Sequence, residues 1–133
     1  VEPVYEAVVE VYAANATTDT YRFVFYKDGQ LITSGITVPD LWCQSTAGSP
    51  SDIIGATGSR VSLTEIGTTE RWFYSATSGG TDEQLDDGEL ADCEVRFTHG
   101  GAVRTDVFSA FRSGGMIYVG GIGGSGGGGG RSF

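Results

Sequence analysis

The chain has 133 residues and a formal charge of −9 at pH 7, from 17 acidic and eight basic side chains. One domain is expected, because compact domains usually contain about 100–150 residues. Clustered Lys and Arg are needed to bind nucleic acids or anionic membranes, so both are disfavoured as partners. No apolar run reaches the roughly 18–20 residues of a membrane helix.

The first predicted element is a strand over residues 4–12. Apolar side chains occupy every second position from Tyr5 to Val11, while Glu6 and Glu10 fall on the opposite face. A period of two is typical of a strand with one buried face. This part of the chain is therefore expected to cover one side of a core.

Two hairpins are predicted, at Asp28-Gly29 and at Gly100-Gly101. Glycine adopts positive φ at little steric cost, so Asp-Gly or Gly-Gly between two apolar runs is a strong hairpin signal. The flanking strands are residues 20–26 and 31–33 around the first turn, and 90–98 and 102–111 around the second.

Further strands are predicted at residues 60–66, 71–76 and 116–119. Seven or eight short strands separated by Gly-rich turns are typical of antiparallel β-sandwiches. The sequence therefore predicts an all-β fold, a single antiparallel β-sandwich over residues 1–119, followed by a Gly-rich C-terminal tail over residues 120–133.

A long loop is predicted from Gly35 to Gly58, where proline, glycine and serine interrupt any periodicity. Long loops in compact domains are usually functional, so this segment is a candidate partner-binding surface with Trp42, Ile53 and Ile54 as contact residues. Trp42 has the alternative of plugging one end of the sandwich.

The C-terminal tail allows two interpretations. Glycine runs usually form flexible linkers. Alternatively, the tail docks into a neighbouring subunit, with Arg131 and Phe133 as its anchoring tip.

Residues 78–89 form an acidic segment, expected to be a short helical turn or an ordered loop. Calcium prefers several oxygen ligands, which makes Asp82, Asp86 and Asp87 a candidate metal site; the alternative is a solvated acidic loop. No other cofactor is expected.

Cys43 and Cys93 are 50 residues apart with no CxxC spacing. The sequence leaves open whether they form a disulfide or remain two buried thiols. The one histidine, His99, lies beside a hairpin tip, and the sequence contains no GxSxG or HExxH pattern. An enzyme is therefore not expected.

The segments Tyr21-Arg22-Phe23-Val24-Phe25-Tyr26-Lys27-Asp28-Gly29-Gln30 and Ala91-Asp92-Cys93-Glu94-Val95 resemble the C–C′ hairpin and the F strand of immunoglobulin-like domains. No cysteine lies in the strand before Tyr21, where that family's inter-sheet disulfide begins. Small, acidic, glycine-tailed β domains also resemble decoration, cement and tail proteins of bacteriophage particles. This resemblance implies a virion component that assembles with copies of itself or with other structural subunits.

A second function remains open, an extracellular recognition module that resembles adhesins or carbohydrate-binding domains. Its stacking residues would be Trp42, Trp72 and Tyr74, because aromatic side chains carry much of the energy of binding surfaces. The acidic segment would then supply a calcium site.

Overall fold

The computed structural model describes residues 2–46, 51–79 and 82–120, and every regular element in these ranges is a β-strand. The predicted all-β sandwich is confirmed. These ranges include no helix long and apolar enough to cross a membrane. The strands are β1 (Tyr5–Asn15), β2 (Thr18–Lys27), β3 (Gln30–Leu31), β4 (Thr37–Ser45), β5 (Ser51–Ile54), β6 (Val61–Ser62), β7 (Thr64–Glu65), β8 (Trp72–Thr77), β9 (Leu90–His99), β10 (Ala102–Ser113) and β11 (Met116–Gly120).

The strands form two antiparallel sheets. The five-stranded sheet has the order β1-β2-β8-β7, with β3 beside the end of β2. The six-stranded sheet has the order β11-β10-β9-β4-β5, with β6 also beside β4. Each sheet buries one face against the other and leaves its second face outward.

The core lies between the two inner faces and is rich in aromatic rings. Phe25 of β2 and Phe97 of β9 have ring centroids 4.3 Å apart, and Phe23 of β2 meets Phe108 of β10 edge-on at 5.9 Å. All four rings are almost completely buried. Burying a phenylalanine side chain stabilises a fold by about 1.5–3 kcal/mol, so these four rings contribute substantially to the packing of one sheet on the other.

Both predicted hairpin turns are confirmed. Asp28 and Gly29 join β2 to β3 with φ values of 51° and 80°. Gly100 and Gly101 join β9 to β10 with φ values of 63° and 81°. Positive φ at both central residues matches the twist of the flanking strands, which is why these positions hold glycine or, at Asp28, a residue that tolerates the left-handed conformation.

The predicted long loop from Gly35 to Gly58 is wrong, because most of its described residues belong to β4 and β5. Buried and outward positions alternate along β4 from Pro39 to Ser45, as in other strands. Because Pro39 and Ser45 occupy two of the buried positions, the sequence lacks the regular apolar alternation that predicts a strand. The pairing of β4 with β9 shifts register between Thr37 and Asp40, where Pro39 lies. An irregularity of this kind lets a sheet accommodate a residue that has no N–H to donate.

The predicted strand over residues 60–66 divides between the two sheets. Its first part, β6, pairs with β4, and its second part, β7, pairs with β8. Leu63 is buried between them, where the chain crosses the sandwich. No helical turn forms among the described residues of the acidic segment, which is an irregular loop.

Asp106 occupies an inward position of β10 and is only 4% exposed. Its carboxylate accepts hydrogen bonds from the backbone N–H of Ala7 at 2.9 Å and from that of Val107 at 3.0 Å. Ala7 lies on the edge strand β1 of the opposite sheet, so this side chain ties the two sheets together. Burial raises the pKa of Asp106, although the two hydrogen bonds oppose the shift.

We expect Asp106→Asn to lower the free energy of unfolding by about 1–3 kcal/mol at neutral pH, because the amide offers one oxygen to two buried N–H donors. Because the pKa of Asp106 is raised in the folded protein, the folded state binds a proton at this carboxylate at a higher pH than the unfolded chain does. The contribution of Asp106 to the free energy of unfolding therefore grows as the pH falls through its folded-state pKa. It becomes constant below about pH 3.9, which is the ordinary pKa of an Asp side chain.

Urea unfolding at a series of pH values measures this effect. The stability difference between the original protein and Asp106→Asn should widen as the pH falls. Asp92→Asn removes a carboxylate that lies outside the core and controls for the change in net charge. A stability difference that does not change with pH would show that burial does not raise the pKa of Asp106 in the folded protein.

Candidate functional site

The outer face of the six-stranded sheet carries a tryptophan in a network of charged side chains. Trp42 points outward from β4 and lies opposite Glu94 of β9. Asp40, two residues earlier on the same face, lies opposite Arg96. The alternation of β4 explains this placement, because Leu41 and Cys43 on either side of Trp42 point into the core.

Trp42 is half-buried and held by two neighbours. Its indole N–H donates to the carboxylate of Asp52 on β5 at 2.7 Å. The guanidinium of Arg60 lies 5.4 Å from the centroid of its ring, within range of a cation–π contact. The ring is therefore fixed in orientation before any partner arrives.

Arg60 and Arg96 are each paired with a carboxylate on this face. Arg60 donates to Glu94 at 2.9 Å, and its side chain is only 7% exposed. Arg96 donates through two nitrogens to both oxygens of Asp40, at 3.1 and 2.7 Å, and this pairing raises the pKa of Arg96. The Nε and Nη1 atoms of Arg60 are buried and have no hydrogen-bond partner among the described residues.

A second group of large side chains lies at another end of the same face. Leu90 of β9, Phe111 of β10 and Tyr118 of β11 lie side by side in register. Their exposed fractions are 39%, 38% and 56%, and Met116 beside them is 62% exposed. We call these four residues the β9–β11 patch.

A polar row crosses the sheet between Trp42 and the β9–β11 patch. Gln44 of β4 lies opposite Asp92 of β9, which lies opposite Ser109 of β10, which lies opposite Gly120 of β11. The Ser109 hydroxyl donates to the carbonyl of Gly120 at 3.3 Å. The row consists of three polar side chains and a glycine, and it lies between Trp42 and the β9–β11 patch.

Other residues predicted to bind a partner are not available on the described surface. Ile53 and Ile54 are 2% and 0% exposed, at a place where the pairing of β4 with β5 shifts register, and their predicted role as partner contacts is wrong. Arg131 and Phe133 lie outside the described residues. Trp42 is on an outer face and does not plug an end of the sandwich.

Trp72 and Tyr74 both point toward the core, so their predicted role in a stacking surface with Trp42 is wrong. Trp72 is 6% exposed and lies opposite Phe23 of β2. Tyr74 is half-buried and donates a hydrogen bond to Asp82. Burial and this hydrogen bond raise the pKa of Tyr74.

The three carboxylates predicted to bind calcium do not converge. Asp82 is buried against Tyr74 and the backbone N–H of Gly55. Asp87 instead accepts hydrogen bonds from the β10–β11 turn, and Asp86 is exposed. Within residues 2–46, 51–79 and 82–120, no group of three or more His, Cys, Asp or Glu is placed to hold a metal ion. The calcium prediction is therefore not supported there.

Cys43 and Cys93 lie directly opposite each other on β4 and β9 and are fully buried as free thiols. Burial raises the pKa of Cys43, and the neighbouring Cys93 raises it further. The hydroxyl of Tyr21 reaches this pair from the facing sheet, and its pKa is also raised by burial and by the thiols. Both cysteines belong to one sheet, so an inter-sheet disulfide of the immunoglobulin kind does not apply to them.

The sequence did not predict that Arg60, Phe111 and Tyr118 lie on the candidate surface. A signal for the last two was present, because Gly114-Gly115 is a two-residue turn that places Phe111 opposite Tyr118. No comparable sequence pattern predicted the position of Arg60, because the chain passes from one sheet to the other just after this residue and the alternation of a single strand does not continue there.

No protein-family model matches the sequence, and no curated protein is significantly similar to it. Among solved structures, the fold is similar to that of a bromine derivative of BhCBM56, a carbohydrate-binding module, with a TM-score of 0.53. The match covers 80% of this chain and 92% of that chain at 14% sequence identity. At this identity the similarity shows the fold alone.

We expect Cys43 and Cys93 to react with iodoacetamide only as fast as the protein unfolds, because the thiolate is the nucleophile and both thiols are buried. Ser113→Cys, at an exposed position, is the control and should react quickly in the native state. Mass spectrometry of the unreduced protein checks the alternative. A mass lower by two hydrogens would show a cross-strand disulfide in place of the free thiols.

Proposed function

We propose that this protein is a non-enzymatic carbohydrate-binding module that binds glycans on the outer face of its six-stranded sheet. The observation that carries the proposal is the geometry of Trp42, a half-buried ring on an open sheet face, oriented by Asp52 and Arg60. The similarity of the fold to BhCBM56 supports the same function, as that protein is a carbohydrate-binding module.

The chemistry of this face suits a sugar ring. A pyranose presents apolar C–H groups on its faces and hydroxyl groups around its rim. An aromatic ring packs against the C–H groups, while a few fixed polar groups set the orientation of the ligand. Trp42 would provide the first contact, and Asp52, Glu94 and Gln44 surround it with hydrogen-bond acceptors.

The contacts of the polar groups near Trp42 favour ligand binding over catalysis. Glu94 and Asp40 each hold an ion pair with an arginine, and Asp52 accepts the indole N–H. These contacts hold the acceptor oxygens in place without assembling a nucleophile and a base. Binding by a rigid surface loses little conformational freedom on association.

We expect Trp42→Ala to weaken glycan binding about tenfold or more, since burying an aromatic side chain is worth about 1.5–3 kcal/mol and about 1.4 kcal/mol equals tenfold. Trp42→Phe should keep part of the affinity. Tyr12→Ala is the matched control, because Tyr12 is an exposed aromatic residue on the outer face of the other sheet.

Affinity electrophoresis through gels containing glucans, mannan, xylan or soluble chitin derivatives measures retention of each variant. Retention should survive a chelator, because the three acidic-loop carboxylates do not converge. Thermal unfolding confirms that each variant is folded. No retention of the original protein by any polysaccharide, or equal retention of Trp42→Ala, would refute the proposal.

The assembly role on a virion, with self-association and no enzymatic activity, stays a prediction from the sequence. Its proposed contacts were the edge strands, Trp42, Ile53, Ile54 and the C-terminal tail. Trp42 lies on the outer face, whereas Ile53 and Ile54 are buried and the tail is outside the described residues. Sedimentation analysis at high concentration tests it separately from glycan binding.

A further inference from the structure

The outer face of the six-stranded sheet has aromatic groups at two places. Trp42 lies on β4, and Phe111 and Tyr118 of the β9–β11 patch lie on β10 and β11. All three side chains project from the same side of the sheet, as the register of β4, β9, β10 and β11 requires. The β9–β11 patch is thus continuous with the face that we propose binds glycans.

The separation of the two aromatic groups follows from the register. Trp42 is aligned with Glu94, and Phe111 is aligned with Leu90, four residues away along β9 and one strand farther across. With about 3.3 Å per residue and about 4.8 Å per strand, the Cα atoms of Trp42 and Phe111 are about 16 Å apart. One sugar ring cannot contact both.

The surface between them is suited to a chain of sugars. The polar row of Gln44, Asp92, Ser109 and Gly120 offers amide, carboxylate, hydroxyl and backbone groups to sugar hydroxyls. Gly120 has no side chain, and the Ser109 hydroxyl is turned toward the Gly120 carbonyl. No aromatic or large apolar side chain stands in this row, between one aromatic group and the other.

We propose that the ligand is an extended glycan chain that lies diagonally across the six-stranded sheet, from Trp42 over the polar row to Phe111 and Tyr118. This inference rests on the proposed function and specifies its ligand class, which is the internal segment of a linear polysaccharide and not a single terminal sugar. The large exposed fractions of Phe111 and Tyr118 leave both rings available for stacking.

The test compares ligand length. Cello-, laminari-, manno-, xylo- and chito-oligosaccharides of increasing length, with the matching polysaccharides, are titrated by calorimetry against the original protein and its variants. Affinity for the original protein should rise with chain length until the ligand spans both aromatic groups. The double variant Phe111→Ala/Tyr118→Ala should lose at least about tenfold in affinity for long chains, equivalent to about 1.4 kcal/mol, and bind the shortest ligands unchanged. Trp42→Ala should lose affinity for all lengths.

Val103→Ala is the matched control, because Val103 is 66% exposed on the same face but lies away from the diagonal path. It should bind every ligand like the original protein. Because Phe111 and Tyr118 are exposed, their removal should leave thermal unfolding nearly unchanged.

The outcomes separate the two proposals. Equal affinity of the double variant for long chains, together with weaker binding by Trp42→Ala, would overturn the extended ligand and keep glycan binding. Loss of a dimer in the double variant, detected by light scattering, with unchanged glycan affinity would assign the β9–β11 patch to self-association and would also overturn the inference. If the original protein binds no glycan in the panel, the proposed function itself fails.

Discussion

The contact of phenylalanine rings between the two sheets is the interaction on which the rest of the structure depends. Phe23 and Phe25 project from β2, and Phe97 and Phe108 project from β9 and β10 of the opposite sheet. Side chains alternate between the two faces of a strand. Once these rings face each other, every neighbouring position on the same strands is assigned either to the core or to an outer face.

Trp42 shows how this assignment decides which side chains reach the outer surface. Leu41 and Cys43 on either side of it are fully buried, and a shift of β4 by one residue would exchange their places with Trp42. Such a shift would bury the indole and expose the thiol. The surface proposed to bind glycans is therefore a consequence of how the core is packed, and Arg60 and Asp52 only refine the orientation of the ring.

Local sequence was sufficient where a single turn decides the structure. Asp28-Gly29 and Gly100-Gly101 adopt positive φ, and the strand before Asp28 and both strands around Gly100-Gly101 were predicted close to their observed bounds. The strand after Gly29 was predicted over residues 31–33 but is the two-residue strand Gln30–Leu31. The local sequence was insufficient to predict β4, because Pro39 and Ser45 occupy inward positions that usually hold apolar residues. It was also insufficient at Leu63, where the chain passes from one sheet to the other, because such a crossing leaves no periodic signal.

By itself, the sequence determined that the protein is an antiparallel β-sandwich. It also placed Trp72 and Tyr74 two residues apart in the predicted strand over residues 71–76, and residues at this spacing share one face of a strand. Only the tertiary structure decided that this face is the core and that Trp42, Phe111 and Tyr118 share an outer face. The physical reason is that alternation along a strand separates two faces without labelling them. Which face is buried depends on the facing sheet, and its residues are distant in the sequence.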